Sequence, residues 1–217
     1  MPAIDAGTRH LVRVAAVIAG ASEQQTRSVM EQAAGNVDPV SMDEVIIQSY
    51  LFAGFPRTLN AARIWRGVSG LPAPRSDESA AMANGLDWVH RGERTCRTVY
   101  GESYELLREN ISELHPALDA WMITDGYGKV LSRPQLDLRT RELCIVAACA
   151  AAGQQRQLHS HLHGALNSGA SVSEVSSTLD ALDDLIDAEN LSRYRGLLAR
   201  VLTKRHPPAG KEEGSVR

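Results

Sequence analysis

Leu138-Arg139-Thr140-Arg141-Glu142-Leu143-Cys144-Ile145-Val146-Ala147-Ala148-Cys149-Ala150-Ala151-Ala152-Gly153 holds few polar side chains after its first turn. Its charge-free run, Leu143 to Gly153, is about half the roughly 20 residues a membrane span requires, so it reads as a helix buried in protein. The clustered alanines suit close helix packing more than sheets. Asp137 stands where an N-cap is expected and Gly153 where the helix ends. Working outward from this stretch, the chain is expected to be all-α.

Glu142 has Leu138, Ile145, Val146 and Cys149 at i−4, i+3, i+4 and i+7, all apolar and all on its own face. Desolvation on such a stripe disfavours a carboxylate's charged form, the setting in which a carboxyl group serves as general acid or base. The next helix begins directly after Gly153 and folds back as a hairpin. By helix rise Glu142 and His161 lie roughly 16 and 12 Å from the turn, so they are expected to face each other as a proton-transfer pair. The competing reading pairs Glu142 with Arg139 or Arg141 and makes His161 a satisfied core histidine. His159 and His163 have an i, i+4 spacing, but their face carries Gln155, Arg156 and Asn167 and lacks a third ligand. A solvated polar face is expected there, with no metal. Cys144 and Cys149 lack C-x-x-C spacing and read as packing residues.

An internal repeat organises the rest of the chain. Thr8-Arg9-His10-Leu11 lines up with Thr140-Arg141-Glu142-Leu143, and Ser41-Met42-Asp43-Glu44-Val45 with Ser171-Val172-Ser173-Glu174-Val175; further on, Asn60 and Arg63 match Asn190 and Arg193. Both serine segments are read as S-x-x-E capping boxes. The division expected is a first, degenerate helical module over 8–66, a linker and connecting helices over 67–136, a second module over 137–203, and a tail over 204–217 with little apolar content. Leu71-Pro72-Ala73-Pro74 is the stiff linker, Pro116 opens a helix, and Ser132-Arg133-Pro134 stops one. Tyr50-Leu51-Phe52-Ala53-Gly54-Phe55-Pro56 is a helix break surrounded by aromatic residues.

Over 217 residues, 23 Lys and Arg face 26 Asp and Glu, giving a net charge of −3, which offers no footprint for nucleic acid or an anionic membrane surface. Three cysteines make no disulfide framework, and no charged segment followed by an apolar one opens the sequence. A reduced, cytoplasmic protein is expected.

The runs Tyr127-Gly128-Lys129-Val130-Leu131-Ser132-Arg133-Pro134, Leu136 through Leu143, and His161-Leu162-His163-Gly164-Ala165-Leu166-Asn167-Ser168-Gly169 resemble the carboxymuconolactone decarboxylase family. The resemblance is continuous from about Gly92 to Val175, and Glu44 to Gln48 with Tyr50 to Asn60 look like a further family segment. It implies an all-helical oligomer that removes CO2 from a small carboxylated lactone or a similar ring-cleavage product of aromatic catabolism, without metal or organic cofactor. Relatives of the alkylhydroperoxidase D type use a C-x-x-C pair with a glutamate and a histidine. By their spacing the cysteine positions fall on Gln154 and Gln157 and the histidine on His161, so the antioxidant alternative lacks its dithiol here. A non-catalytic scaffold that binds a small ligand is the third reading. The resemblance makes Glu142 and His161 the catalytic candidates, with Arg133 or Arg139 holding the substrate carboxylate and Gln157, Tyr50 and Gln48 lining the pocket. At the positions of Glu142 and His161 the first copy has His10 and Val29, so one site per chain is expected. A homotrimer imitating a six-module ring is the expected assembly.

Overall fold

A computed structural model describes residues 4–205, and no strand occurs among them. Four helices come first: α1 (Ala6–Gly20), α2 (Glu23–Ala33), α3 (Pro39–Gln48) and α4 (Tyr50–Ser69). The connecting region forms α5 (Gly85–Tyr100), α6 (Tyr104–Leu114), α7 (Pro116–Trp121) and a π-helix over Met122–Leu131. Four more follow: α8 (Leu138–Ala151), α9 (Gln155–Asn167), α10 (Val172–Asp180) and α11 (Ala188–Arg205). The tail expected from 204 thus begins inside α11, and residues 206–217 lie outside the described part.

Local chemistry sets the boundaries. Asp5 and Asp137 cap α1 and α8 alike, each accepting from the amide and hydroxyl of the threonine three residues on. Ser171 and Glu174 form the expected capping box on α10. Ser41 does not: Asp38 caps α3 and accepts from the Ser41 amide at 2.8 Å, with Pro39 in the first helical turn. A second capping box, Ser22 with Gln25, opens α2 instead. Glu44 is thereby free of capping duty and sits in the interior.

Helices α1 and α8 form the centre. Every residue from Thr140 to Ala150 is buried, as is nearly all of Leu11 to Ile18. A helix apolar on all sides must be enclosed on all sides, and the alanines let the backbones approach. At Gly20 an added Cβ would strike the Ala151 carbonyl, so the ends of the two helices touch through backbone. The same device joins α5 to the π-helix, where a Cβ at Gly92 would meet the Ile123 carbonyl and one at Gly128 the Trp88 carbonyl. Close approach on this side carries Tyr127 into the core.

The elements are stitched together by a buried ionic cluster. Glu44 on α3 receives Arg133 (2.7 Å) and Arg141 (2.7 Å). Arg141, wholly buried, also donates to the carbonyls of Leu136 and Arg133 at 3.0 Å and to Gln48 Oε1 at 3.2 Å. Arg133 reaches on to Asp77 (2.8 Å) and to the Ser79 hydroxyl in the connecting region. Burial pushes the Glu44 carboxyl up, but the two guanidinium groups outweigh it and hold the carboxyl below its usual range.

Candidate active site

Once Asp137 fixes the start of α8, helical phase sends Arg141 toward α3 and Glu142 toward α9. Gly153, with φ 68°, reverses the chain, and α9 returns alongside. His161 Nδ1 then lies 2.8 Å from Glu142 Oε2, with Glu142 0% and His161 5% exposed. Neither Arg139 nor Arg141 pairs with Glu142. Its second oxygen, Oε1, is buried with no hydrogen-bond partner among the described residues. Room for the carboxylate is made by Gly164, one turn beyond His161, where any Cβ would strike Glu142 Oε2 and Val99.

The surroundings are aromatic and thiol-bearing. Phe52 stands edge-on to the His161 ring, with centroids 5.6 Å apart and planes at 84°. It is put there by the bend of α4 at Gly54 (φ 78°, ψ 162°), and Gln154 holds its carbonyl at 3.3 Å. On the opposite flank Tyr100 and Tyr127 meet at 6.2 Å between centroids, and the Tyr100 hydroxyl also interacts with Ser160. Burial first, then the charge of Glu142, pushes the Cys149 thiol up to about 12. Cys96 rises to about 12 chiefly through burial, with Glu142 adding to it. Tyr100 rises to about 12 and Tyr127 well above its ordinary value, again mainly by burial. These groups are therefore neutral near pH 7 and surround the pair as weak donors.

The structure gives the expected ligand-binding residues other work. Arg133 is committed to Glu44, Asp77 and Ser79, so its guanidinium has no free edge for a substrate carboxylate. Arg139 is largely exposed and bridges Glu174 at 2.9 Å, at the end of α8 away from the hairpin turn. Gln48 is buried against Arg141, with contacts of 3.2 and 3.3 Å, and positions that side chain. Tyr50 is half-buried and stacks on Phe55 at 4.9 Å between centroids; Gln157 is exposed on α9. Phe52, Tyr100, Tyr127 and Gly164 border the pair although spacing did not single them out. A signal existed for two of them: Tyr127 opens a run quoted for the resemblance, and Gly164 lies at i+3 from His161. Phe52 lies in the aromatic helix break and in a segment quoted for the resemblance, but nothing local tied it to the pair; Tyr100 left no signal.

Residues 116–194 match the sequence model of the carboxymuconolactone decarboxylase family. The chain is also 31% identical over 154 residues, 70% of either protein, to Peroxisomal protein 2 of Schizosaccharomyces pombe. The chain belongs to the carboxymuconolactone decarboxylase family, which includes enzymes. The matched segment begins at α7 and ends within α11, and so contains both Glu142 and His161. Among the described residues no helix is long and apolar enough to cross a membrane.

Proposed function

We propose that Glu142 and His161 form a proton-transfer centre, and that the chain is a cofactor-independent, decarboxylase-like lyase for a small carboxylated lactone or a comparable ring-cleavage product. The observation that carries this reading is the 2.8 Å contact between two buried side chains, one of which keeps an unpartnered oxygen. With Glu142 ionised, the Nδ1–H of His161 donates to Oε2, and Nε2 is the atom that exchanges a proton. In the reaction the bond from the ring carbon to the carboxylate breaks, CO2 leaves, and the electron pair enters a conjugated enolate. Nε2 delivers a proton to the carbon and regains one from solvent. Glu142 stabilises the imidazolium, and the neutral Tyr127 and Tyr100 hydroxyls supply donors for the developing oxyanion.

The peroxidase alternative finds less support. The positions that carry the dithiol in such relatives hold Gln154 and Gln157, and Cys96, Cys144 and Cys149 are buried thiols pushed up to about 12 by desolvation. Three unpaired thiols also suit a reducing compartment, which we take as the site of action. The matching caps of α1 and α8 support reading the two sets of four helices as diverged copies, the second keeping the pair. Exposed Leu114, Leu118 and Trp121 support self-association, and the assembly we propose is the homotrimer; a monomer mass by light scattering would overturn it.

Purified protein incubated with carboxymuconolactone should release CO2. His161→Ala and Glu142→Gln should each lower kcat by about 10²–10⁴ while leaving the fold intact by circular dichroism. Turnover unchanged in both variants, or absent from the wild type, overturns the assignment; ligand-induced thermal stabilisation without turnover would point to a binding scaffold instead.

A further inference from the structure

The seam between α9 and α11 is a different kind of surface from the buried pair. Two adjoining grooves, about 470 and 980 Å³, run along it and share His159 and Ser160. The helices lie parallel there: Arg156 and Arg193, near their starts, line one groove, and at their ends Arg205 donates to Asn167 Oδ1 at 2.8 Å. Arg156, His159 and His163 fall at i, i+3 and i+7 on one face of α9. Arg193, Arg200 and Lys204 fall at i, i+7 and i+11 on one face of α11, spanning roughly 16 Å. Leu197 lies between these cations and Leu106 borders the larger groove.

The charge here runs against that of the whole chain. Among the described residues none of Arg156, Arg193, Arg200, Lys204 and Arg205 is in an ion pair with a carboxylate, and Glu102 is the one carboxylate lining either groove. In a protein of net charge −3, where Arg13, Arg66, Arg108, Arg133, Arg141 and Arg195 are each paired with a carboxylate, five cations gathered on one seam without such a partner among the described residues leave a local excess of positive charge. The two histidines stand ring to ring at 5.1 Å between centroids. Burial, then Lys204 and Arg200, lowers the His159 pKa; burial, then His159, Arg205 and Lys204, lowers that of His163. Burial is the larger cause for both imidazoles, and the cations add to it in the same direction; an anion would offset the cations' part.

We propose that this seam binds an elongated small-molecule polyanion, with two or more phosphate or carboxylate groups spread along the α11 cations and an apolar portion over Leu197 and Leu106. Tyr100 lines the larger groove and also meets Tyr127, while Glu142 and His161 line neither groove, so binding in the seam stands apart from whether the pair turns anything over. An anion in the seam raises the His159 and His163 pKa values again, so binding takes up protons and strengthens as pH falls. Glu102 opposes the anion, and Tyr100 stays neutral throughout.

The test is calorimetric titration of the full chain with inorganic tripolyphosphate and, separately, with 1,2,3-propanetricarboxylate, at about pH 7.5 and about pH 6. Saturable binding by either probe, tighter at the lower pH, is expected, and the tighter probe identifies the phosphate or the carboxylate source. R200E/K204E should weaken it about tenfold or more, while the charge-matched pair R27E/R75E, on exposed sites elsewhere, should change it less than about twofold. No saturable binding by either probe, or equal losses in the two double variants, overturns the proposal. NMR titration of the wild type gives a second readout: saturation with the probe should raise the His159 and His163 pKa values, and unmoved values refute the site whatever the folding of the variants.

Discussion

Arg141 and Glu142 are neighbours on α8, both without exposed surface, and they end in opposite kinds of environment. On the Arg141 side every charge is answered: Glu44 takes two guanidinium groups, Gln48 and two carbonyls take the remaining donors, and Asp77 and Ser79 complete Arg133. On the Glu142 side one oxygen is held by His161 and the other by nothing among the described residues. A saturated buried cluster spends its polar groups on fixing elements relative to one another. An unsaturated pair retains capacity for something that arrives. The difference separates a structural cluster from a candidate chemical one more cleanly than burial does, since burial is shared.

The largest effect expected from breaking this contrast is on the saturated side. Glu44→Ala leaves two buried guanidinium groups without their carboxylate and should cost about 3–5 kcal/mol in denaturant unfolding. A loss under about 1 kcal/mol would mean that Arg133 and Arg141 re-pair easily and that the cluster is not what ties α3 to α8. The same residue sets an acid limit. Because its folded-state pKa lies below its ordinary value of 4.5, its contribution is present above that value and lost as pH falls through the folded-state pKa. Stability should therefore decline below about pH 4.5, and less steeply in Glu44→Ala.

A smaller effect sharpens the unsaturated side. Gly164→Ala places a methyl against Glu142 Oε2 and Val99, and should destabilise by about 1–3 kcal/mol while lowering turnover by displacing the carboxylate from His161. Gly67→Ala, also helical but with nothing within 4 Å of the new methyl, should stabilise by about 0.5–1 kcal/mol. If both substitutions stabilise, the space beside Glu142 is not tight. The smallest change belongs to a residue outside both regions: Arg139→Ala removes an exposed bridge to Glu174 and should shift stability by at most about 1 kcal/mol, with turnover unaffected. A large fall in turnover there would restore Arg139 as the carboxylate grip.

How legible each side was follows from how local it is. The Glu142–His161 contact joins two helices across one glycine turn, so counting residues from Gly153 brings the two groups together. Ser41, three residues before Glu44, makes that glutamate look like part of a helix cap. Asp38 and Pro39 instead start the helix about one turn earlier, so Glu44 lies in the second turn, away from the capping position, and its carboxylate is left for Arg133 and Arg141. Along the sequence Arg133 looks like a guanidinium available to a substrate, because its partners, Glu44 and Asp77, are distant in the chain and no periodicity reports such a pairing. Phe52, Tyr100 and Tyr127 reach the pair from three other elements, one bent at Gly54 and one wound as a π-helix.

The sequence by itself determined an all-α chain, the hairpin of α8 and α9, and the absence of thiols at the positions where dithiol relatives carry them. Helical periodicity, caps and glycine turns act over a few residues, and so does the spacing on which those statements depend. Only the tertiary structure decided which charges are spent and which are left among the described residues: Arg133 and Arg141 neutralised in the interior, Glu142 left with an open oxygen, and the α9–α11 cations left without carboxylates. Charge neutralisation is a matter of distance in space, and a net charge of −3 summed along the chain carries no record of it.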